Sequence, residues 1–333
     1  MRGKAAAMAV CMAVVWALAG WNGPLGAYVA SVKQDGRAMN AYAVRTGNLE
    51  GVDPLLARIR EEAEQERIKP VNAVVDRVWK AIPGYNGLEV DIDRTYEAML
   101  GQPADAPLKF IYREVEPEVS LDDLGAHPIY RGNPKKPMAA LMINVAWGNE
   151  YIGPMLDTLD KEKVKATFFL DGTWLKNNPD LAKQIASRGH EMSNHAYTHP
   201  DMAALGRSQQ YRQIERTETL LRATLEVHNR WFAPPSGSYN ETTVKTAYEL
   251  GLKTVLWTVD TVDWKRPPAA QIVSKIARSV GPGSLVLMHP TASSRDALEG
   301  MIASIRSKGL KLGTVSDTLS EKRVPNDGAA AGQ

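Results

Sequence analysis

Two histidines four residues apart form the strongest chemical signal in this sequence. His195 and His199 lie in the run GHEMSNHAYTHP, which follows a predicted short strand. On a helical turn this spacing places both imidazoles on one face, and neutral imidazoles bind Zn²⁺ or a similar divalent cation. The alternative is a polar loop that holds two unrelated histidines. Because only 6 histidines occur in 333 residues, the pair favours a metal site.

Carboxylates, a third histidine and aromatic residues follow three other predicted strands. Asp260, Asp263 and Trp264 occur in VDTVDW, which by itself also fits a capped turn with a core tryptophan. His289 ends the apolar run LVLMH, where it could act as a general acid or base tuned by a carboxylate, or lie in the core. The loop WFAPPSGSY, residues 231–239, could line a substrate groove or only turn the chain.

The elements that must position these residues alternate between strand and helix from Met138 onward. About seven strand–helix units in succession predict parallel strands joined by crossover helices, and so an α/β fold that can close into a (β/α) barrel. Polar residues at the strand ends then meet at one end of that barrel. Strands are predicted at 139–145, 166–170, 190–193, 231–233, 254–259, 284–289 and 314–315, and helices at 152–162, 179–188, 208–226, 241–250, 269–280 and 294–308.

The region 28–134 is predicted to be a small α+β module with a linker, and it contains no chemical motif. Apolar spacing predicts helices at 55–68, 71–82 and 93–100 and strands at 88–92 and 109–115. Residues 128–137, PIYRGNPKKP, are rich in proline, glycine and charge and are predicted to be the linker. The small residues of 326–333 are predicted to form a flexible tail.

The first 27 residues predict export. Arg2 and Lys4 precede an almost purely apolar run, 5–19, which is the pattern of a secretory signal peptide. The alternative is an uncleaved membrane anchor, because residues 5–21 reach the lower limit for spanning about 30 Å of hydrocarbon. Either way the rest of the chain is expected outside the cytoplasm, at a cell surface of the Gram-positive kind. The only cysteine, Cys11, lies in this segment, so no intramolecular disulfide or cysteine-ligated metal is expected.

The charge balance argues against nucleic acid as a partner. The chain has 40 Lys and Arg residues against 38 Asp and Glu residues, a net charge of +2. Arg2 and Lys4 account for that excess, so residues 28–333 are formally neutral. A protein built to coat nucleic acid carries a large basic excess.

Several motifs in a fixed order give the sequence a family resemblance. Over about residues 138–320 the chain resembles the polysaccharide deacetylase family, also called the NodB-homology domain or carbohydrate esterase family 4, and we assign 135–325 to this domain. The phrase INVAWGNEY, residues 143–151, and the N-terminal region look like a sporulation-associated branch of the family. The matching motifs are KATFFL at 165–170, NP at 178–179, GHE at 189–191, NHxxxH at 194–199, DxxDW at 260–264 and LxH at 287–289.

The resemblance implies a distorted, partly open (β/α) barrel that hydrolyses N-acetyl groups on cell-wall amino sugars, in peptidoglycan or a chitin-like glycan. It implies a divalent metal, Zn²⁺ or similar, held by His195 and His199, and an acid, His289, tuned by Asp263. The groove for the polysaccharide is then lined by four residues. These are Trp147, Pro234, Tyr239 and Trp264.

The sequence departs from the family where the base and a metal ligand belong. Family members carry TFDDG at the end of the first barrel strand, whereas this chain has NVAWG, so Ala146 replaces the base and Trp147 replaces the metal-binding Asp. Ala233 replaces the Arg that tunes the base. The paired loss is electrically consistent, because a lone buried Arg would be an unpaired charge. Glu150 is the nearest replacement carboxylate.

Two hypotheses follow. The chain is either a metal-dependent deacetylase with a rebuilt base, supplied by Glu150 or by a metal-bound hydroxide assisted by His289, or a non-catalytic glycan-binding envelope protein. Glu150 or Asp171 within ligand reach of the two histidines would support the enzyme. A pocket filled by the Trp147 indole would support the binding protein. Asp171, which follows a predicted strand, is otherwise most simply a turn residue.

Overall fold

The computed structural model describes residues 53–324, so the predicted export segment and the predicted C-terminal tail lie outside the described residues. The chain divides into two compact units, 1–61 and 62–333. Of the first unit the structure describes 53–61, which are Asp53 and the first part of helix α1 (Pro54–Gln65). Asp53 begins this helix by accepting the backbone N–H of Leu55 at 2.8 Å. No helix within 53–324 is long and apolar enough to cross a membrane.

The second unit opens with short antiparallel elements. Strands β1 (Val74–Asp76) and β2 (Lys80–Ile82) form a hairpin. Strand β3 (Gly87–Val90), helix α2 (Ile92–Met99) and strand β4 (Tyr112–Val115) follow, and β3 pairs with β4.

The prediction of a helix over 71–82 is wrong. The Asp76 carboxylate accepts the backbone N–H groups of Val78 and Trp79, both at 2.7 Å, and this closes a turn where the helix would continue. Lys80 has a left-handed φ of 58°, which also breaks a helix. The valines favour a strand, and their helical spacing was misleading.

The larger part of this unit is the predicted barrel-like α/β sheet, and this fold is confirmed. Seven parallel strands follow in the order β10-β11-β5-β6-β7-β8-β9. Strand β12 pairs in parallel with the first residues of β5, on the side away from β11. The strands are β5 (Met138–Val145), β6 (Thr167–Leu170), β7 (Glu191–Asn194), β8 (Trp231–Phe232), β9 (Lys253–Thr254), β10 (Val259–Asp260), β11 (Ser284–Met288) and β12 (Lys311–Gly313). The helices are α3 (Asn149–Lys161), α4 (Gly172–Asn177), α5 (Pro179–Ser187), α6 (Arg207–Leu225), α7 (Glu241–Glu249), α8 (Ala269–Ser279), α9 (Ala292–Arg306) and α10 (Val315–Leu319).

Strand β5 shows how the sheet is covered on both faces. All its residues are buried, as expected for a parallel strand between two apolar layers. Its odd-numbered residues, such as Leu141, pack with the helices in one cluster. Its even-numbered residues, such as Met142, pack inside the curled sheet with Phe169 and Trp231. Side chains at the carboxyl end of β5 therefore lie at the rim of the barrel interior.

Two predicted strands differ in the structure. The predicted strand 254–259 is divided into β9 and β10, which lie at opposite ends of the strand order. The predicted strand 314–315 is a helix start, because the Thr314 hydroxyl accepts the backbone N–H of Asp317 and so begins α10.

The segment 128–137, predicted to be a linker, lies against the barrel where β9 and β10 separate. Ile129 is fully buried among the inner residues, and its backbone bonds to Thr254 and Leu256 at 2.9 and 2.7 Å. The next carbonyl, that of Tyr130, accepts the Thr258 hydroxyl at 2.7 Å. The segment therefore bridges a gap that the strands leave open.

Candidate functional site

The two histidines of the strongest motif lie together after strand β7. Their rings are 5.1 Å apart between centroids and meet edge to face. The segment is not the helical turn that the spacing suggested, because Ala196 and His199 have left-handed φ values of 61° and 52°. His195 is buried, and its Nδ1 lies 2.7 Å from the Ala233 carbonyl oxygen. A neutral His195 therefore donates from Nδ1 and keeps Nε2 free as an acceptor.

Both of these histidines are held in the uncharged form. Burial, together with a smaller effect of the neighbouring His199, lowers the pKa of His195 to about 3. Burial likewise lowers the pKa of His199, and His289 contributes in the same direction. His289 lowers the pKa of both His195 and His199, so the three predicted histidines lie in one region of the molecule.

Asp263 and His289 form a tightly bonded pair at the ends of neighbouring strands. The Asp263 carboxylate accepts His289 Nδ1 at 2.8 Å and the His289 backbone N–H at 2.6 Å. The Ser294 hydroxyl, in the first turn of α9, also donates to it. Burial acts to raise the pKa of Asp263, but the bonds from His289 and Ser294 outweigh it and the pKa is lowered. The pair therefore fixes the imidazole plane and leaves its Nε2 free.

The altered first motif lies directly beside this pair. The Trp147 indole is parallel to the His289 imidazole, with 5.9 Å between ring centroids and 9° between planes. Nearly half of Trp147, 47%, remains exposed. Ala146 is half-buried and carries no polar side-chain atom. The indole thus lies beside the histidine expected to act as the acid.

The residues present do not fit a catalytic zinc centre, which needs three protein ligands. Within 53–324 no group of three or more His, Cys, Asp or Glu side chains could share a metal ion. Glu150 is exposed in the first turn of α3 and joins no such group, so the proposed base is not placed with the histidines.

Asp171 is confirmed as a turn residue. Its Oδ1 accepts the backbone N–H of Trp174 at 2.8 Å and begins helix α4. Its Oδ2 is buried without a hydrogen-bond partner, and burial raises the pKa to about 6. Asp171 also belongs to no group of three potential ligands within the described residues.

The predicted groove residues have different exposures. Trp264 is 53% exposed, in a short 3-10 helix that begins at Asp263. Tyr239 is half-buried, and its hydroxyl lies 2.7 Å from that of Tyr130. Pro234 is buried, so its ring offers no face to a ligand, which corrects the prediction. Tyr130 was not predicted as a neighbour of Tyr239, because it lies in the segment predicted to be a linker. An aromatic residue between Pro128 and Gly132 could have indicated that this segment packs against the domain.

Comparison with known proteins agrees with this fold and this set of motifs. A family model described as "Polysaccharide deacetylase" matches residues 131–255. The chain is 32% identical over 224 residues to a peptidoglycan-N-acetylglucosamine deacetylase of Bacillus cereus, covering 63% of this chain and 82% of that protein. This chain belongs to the polysaccharide deacetylase family. It is also 44% identical over 272 residues to the uncharacterized protein YlxY of Bacillus subtilis, and the match covers 82% of this chain and 85% of YlxY.

A solved structure bears on the altered motif. This polysaccharide deacetylase-family chain is similar to BA3943 of Bacillus anthracis, which is described as a carbohydrate esterase family 4 pseudoenzyme, with a TM-score of 0.75 and 44% identity. The match covers 82% of this chain and 97% of that one. A mutant of BA3943 is described as having restored enzymatic activity.

Proposed function

We propose that this chain is a non-hydrolysing member of the polysaccharide deacetylase family that binds the amino-sugar strands of cell-wall peptidoglycan. The observation that carries the proposal is the Trp147 indole lying on His289 where the family has a carboxylate ligand. With Ala146 at the position of the base, nothing at the end of β5 can accept a proton from water. Removing a general base typically slows a reaction by about 10²–10⁴-fold.

The relatives support the two halves of this proposal separately. The Bacillus cereus relative is a peptidoglycan-N-acetylglucosamine deacetylase, which points to cell-wall glycan as the ligand. The Bacillus anthracis neighbour is described as a pseudoenzyme, which points to loss of turnover. The proposal also includes export to the cell surface, with residues 1–27 either cleaved as a signal peptide or kept as an anchor. It includes a role in sporulation as well, and both parts rest on the sequence alone.

The first test compares acetate release with binding. The full chain is incubated with peptidoglycan sacculi and with chitin oligomers, and both acetate and sedimented protein are measured. We expect co-sedimentation with sacculi and no acetate above the level of a His195→Ala control. Acetate release that exceeds this control would support the rebuilt-base enzyme instead.

A back-substituted variant calibrates the assay. Ala146→Asp, Trp147→Asp and Ala233→Arg together restore the base, the ligand and the tuning charge. We expect acetate release from this triple variant with added Zn²⁺, at least about 10²-fold above the unmodified chain. The Ala233→Arg change alone serves as the matched control, because it adds the charge without its partner. A triple variant no better than this control would show that the block lies elsewhere.

A further inference from the structure

We infer that Trp147 is a stacking platform for a pyranose ring of the glycan, and that Asp263 and His289 are positioning residues that hold this platform in place. This inference rests on the proposed glycan-binding function and assigns it to one side chain. It gives the Asp263–His289 pair a role in a chain whose base and third metal ligand are missing. Trp147, which replaces a metal ligand of the family, would then provide a binding surface in its place.

The Trp147 indole is unusually exposed for a large aromatic side chain. Large aromatic side chains are usually buried for most of their surface, yet 47% of Trp147 is exposed at the carboxyl end of the central strand. The His289 ring lies beside it, within 9° of parallel and with 5.9 Å between the ring centroids. A flat apolar surface open to solvent, beside polar groups, suits the C–H face of a sugar ring.

The backbone around Trp147 is also fixed. Gly148 has a left-handed φ of 84°, and a Cβ on it would lie 2.1 Å from the Pro290 carbonyl oxygen. Residue 148 follows Trp147, and Pro290 follows His289, so the two chain segments touch next to the two stacked rings. The parallel pairing of Ile143 with Met288 sets these segments side by side. The contact leaves the indole little freedom to move away from the histidine.

The His289 ring beside the indole is itself held rigidly. The imidazole plane is fixed by bonds to Asp263 at 2.8 Å from Nδ1 and 2.6 Å from the backbone. Asp263 is fully buried and is held in turn by Ser294 of α9. A platform that is ordered before binding loses little conformational entropy on contact with a ligand.

The free ring nitrogen of His289 supplies a polar contact that a sugar needs. His289 uses Nδ1 for the Asp263 carboxylate and its side chain is 18% exposed, so a neutral ring offers Nε2 as a hydrogen-bond acceptor. Sugar hydroxyls and an acetamide N–H are suitable donors. An uncharged N-acetylated amino sugar therefore matches the site better than a dication or an anion.

The test measures binding of the full chain to N-acetylglucosamine tetramer by calorimetry or by NMR titration. Trp147→Ala is expected to weaken binding about 2- to 12-fold, the change that corresponds to the loss of one aromatic contact. Trp147→Phe, which keeps a flat ring, is expected to lose less and provides a second variant if Trp147→Ala fails to fold. Tyr211→Ala is the matched control, because Tyr211 is similarly exposed, at 42%, and lies on α6.

A double-mutant cycle tests the positioning role. If His289 also holds Trp147 in place, then His289→Ala weakens binding, and the loss in the double variant is smaller than the sum of the two single losses. Additive losses, or unchanged binding by a folded Trp147→Ala, would overturn the platform while leaving glycan binding intact. Absence of any glycan binding by the folded, unmodified chain would overturn the proposed function as well.

Discussion

Gly148 links the fold to the proposed binding surface, and replacing it with alanine should disturb both. An alanine at a φ of 84° is strained by about 1–2 kcal/mol, because its Cβ approaches the backbone in the left-handed region. The new Cβ would also meet the Pro290 carbonyl oxygen at 2.1 Å, and no rotamer can relieve a contact with backbone. Overpacking of this kind costs about 1–3 kcal/mol. We expect Gly148→Ala to lower the free energy of unfolding by about 2–5 kcal/mol.

Two other glycines separate the strain from the clash. Gly251 and Gly309 have left-handed φ values of 79° and 73°, and a Cβ on either would have no neighbour within 4 Å. Gly251→Ala and Gly309→Ala should therefore lose only the strain, about 1–2 kcal/mol. The assay is urea unfolding of all three variants and the unmodified chain, followed by tryptophan fluorescence.

The same variants report on the platform. If the loop must move to admit the methyl group, the Trp147 indole leaves the His289 ring, and Gly148→Ala should weaken glycan binding. The two control variants should bind normally. Equal losses of stability for all three variants would refute the reasoning, because the contact with Pro290 would then constrain nothing.

Other positions give shorter tests, each by urea unfolding. Asp171→Asn should flatten the pH dependence of the free energy of unfolding between pH 4 and 6. Because burial raises the pKa of Asp171 to about 6 in the folded state, the native protein keeps a proton there that the unfolded chain has lost. The stability of the unmodified chain therefore falls by up to about 1.4 kcal/mol per pH unit as pH rises through this range. Asp263→Asn should cost about 1–3 kcal/mol at pH 7. The difference in stability between Asp263→Asn and the unmodified chain should disappear at low pH. The pKa of Asp263 is lowered in the folded state, so its carboxylate stabilises the fold until pH falls through that lowered value. Ile129→Ala should cost about 2–5 kcal/mol, since the side chain is fully buried inside the barrel, whereas a mere linker residue would cost almost nothing.

The barrel could be predicted from sequence because its strands are buried on both faces. The run 139–145 is apolar except for Asn144, and a helix with charged residues on one face follows it. The change from strand to helix could therefore be placed within a few residues. The hairpin of 74–82 could not be predicted in the same way. Its valines happen to recur at helical spacing, and the turn depends on one carboxylate, that of Asp76, accepting two backbone N–H groups.

Within the site, sequence motifs identified the histidines but not their geometry. The spacing of His195 and His199 brought the two rings together as expected, although two left-handed residues and not a helical turn produce the contact. No pattern in the sequence showed that the residue replacing a metal ligand would stack on His289. That contact depends on the register of β5 with β11, which joins residues more than 140 positions apart.

The balance of charge argues most directly for a neutral ligand. Burial keeps His195 and His199 uncharged, and the negative charge of Asp263 is already matched by donors from His289 and Ser294. A bound dication would therefore find two neutral imidazoles and no free carboxylate in a shared group within 53–324. An anion would find no cationic side chain among these groups. A neutral sugar needs neither charge, only hydrogen-bond partners and an apolar face, and Trp147 supplies the face.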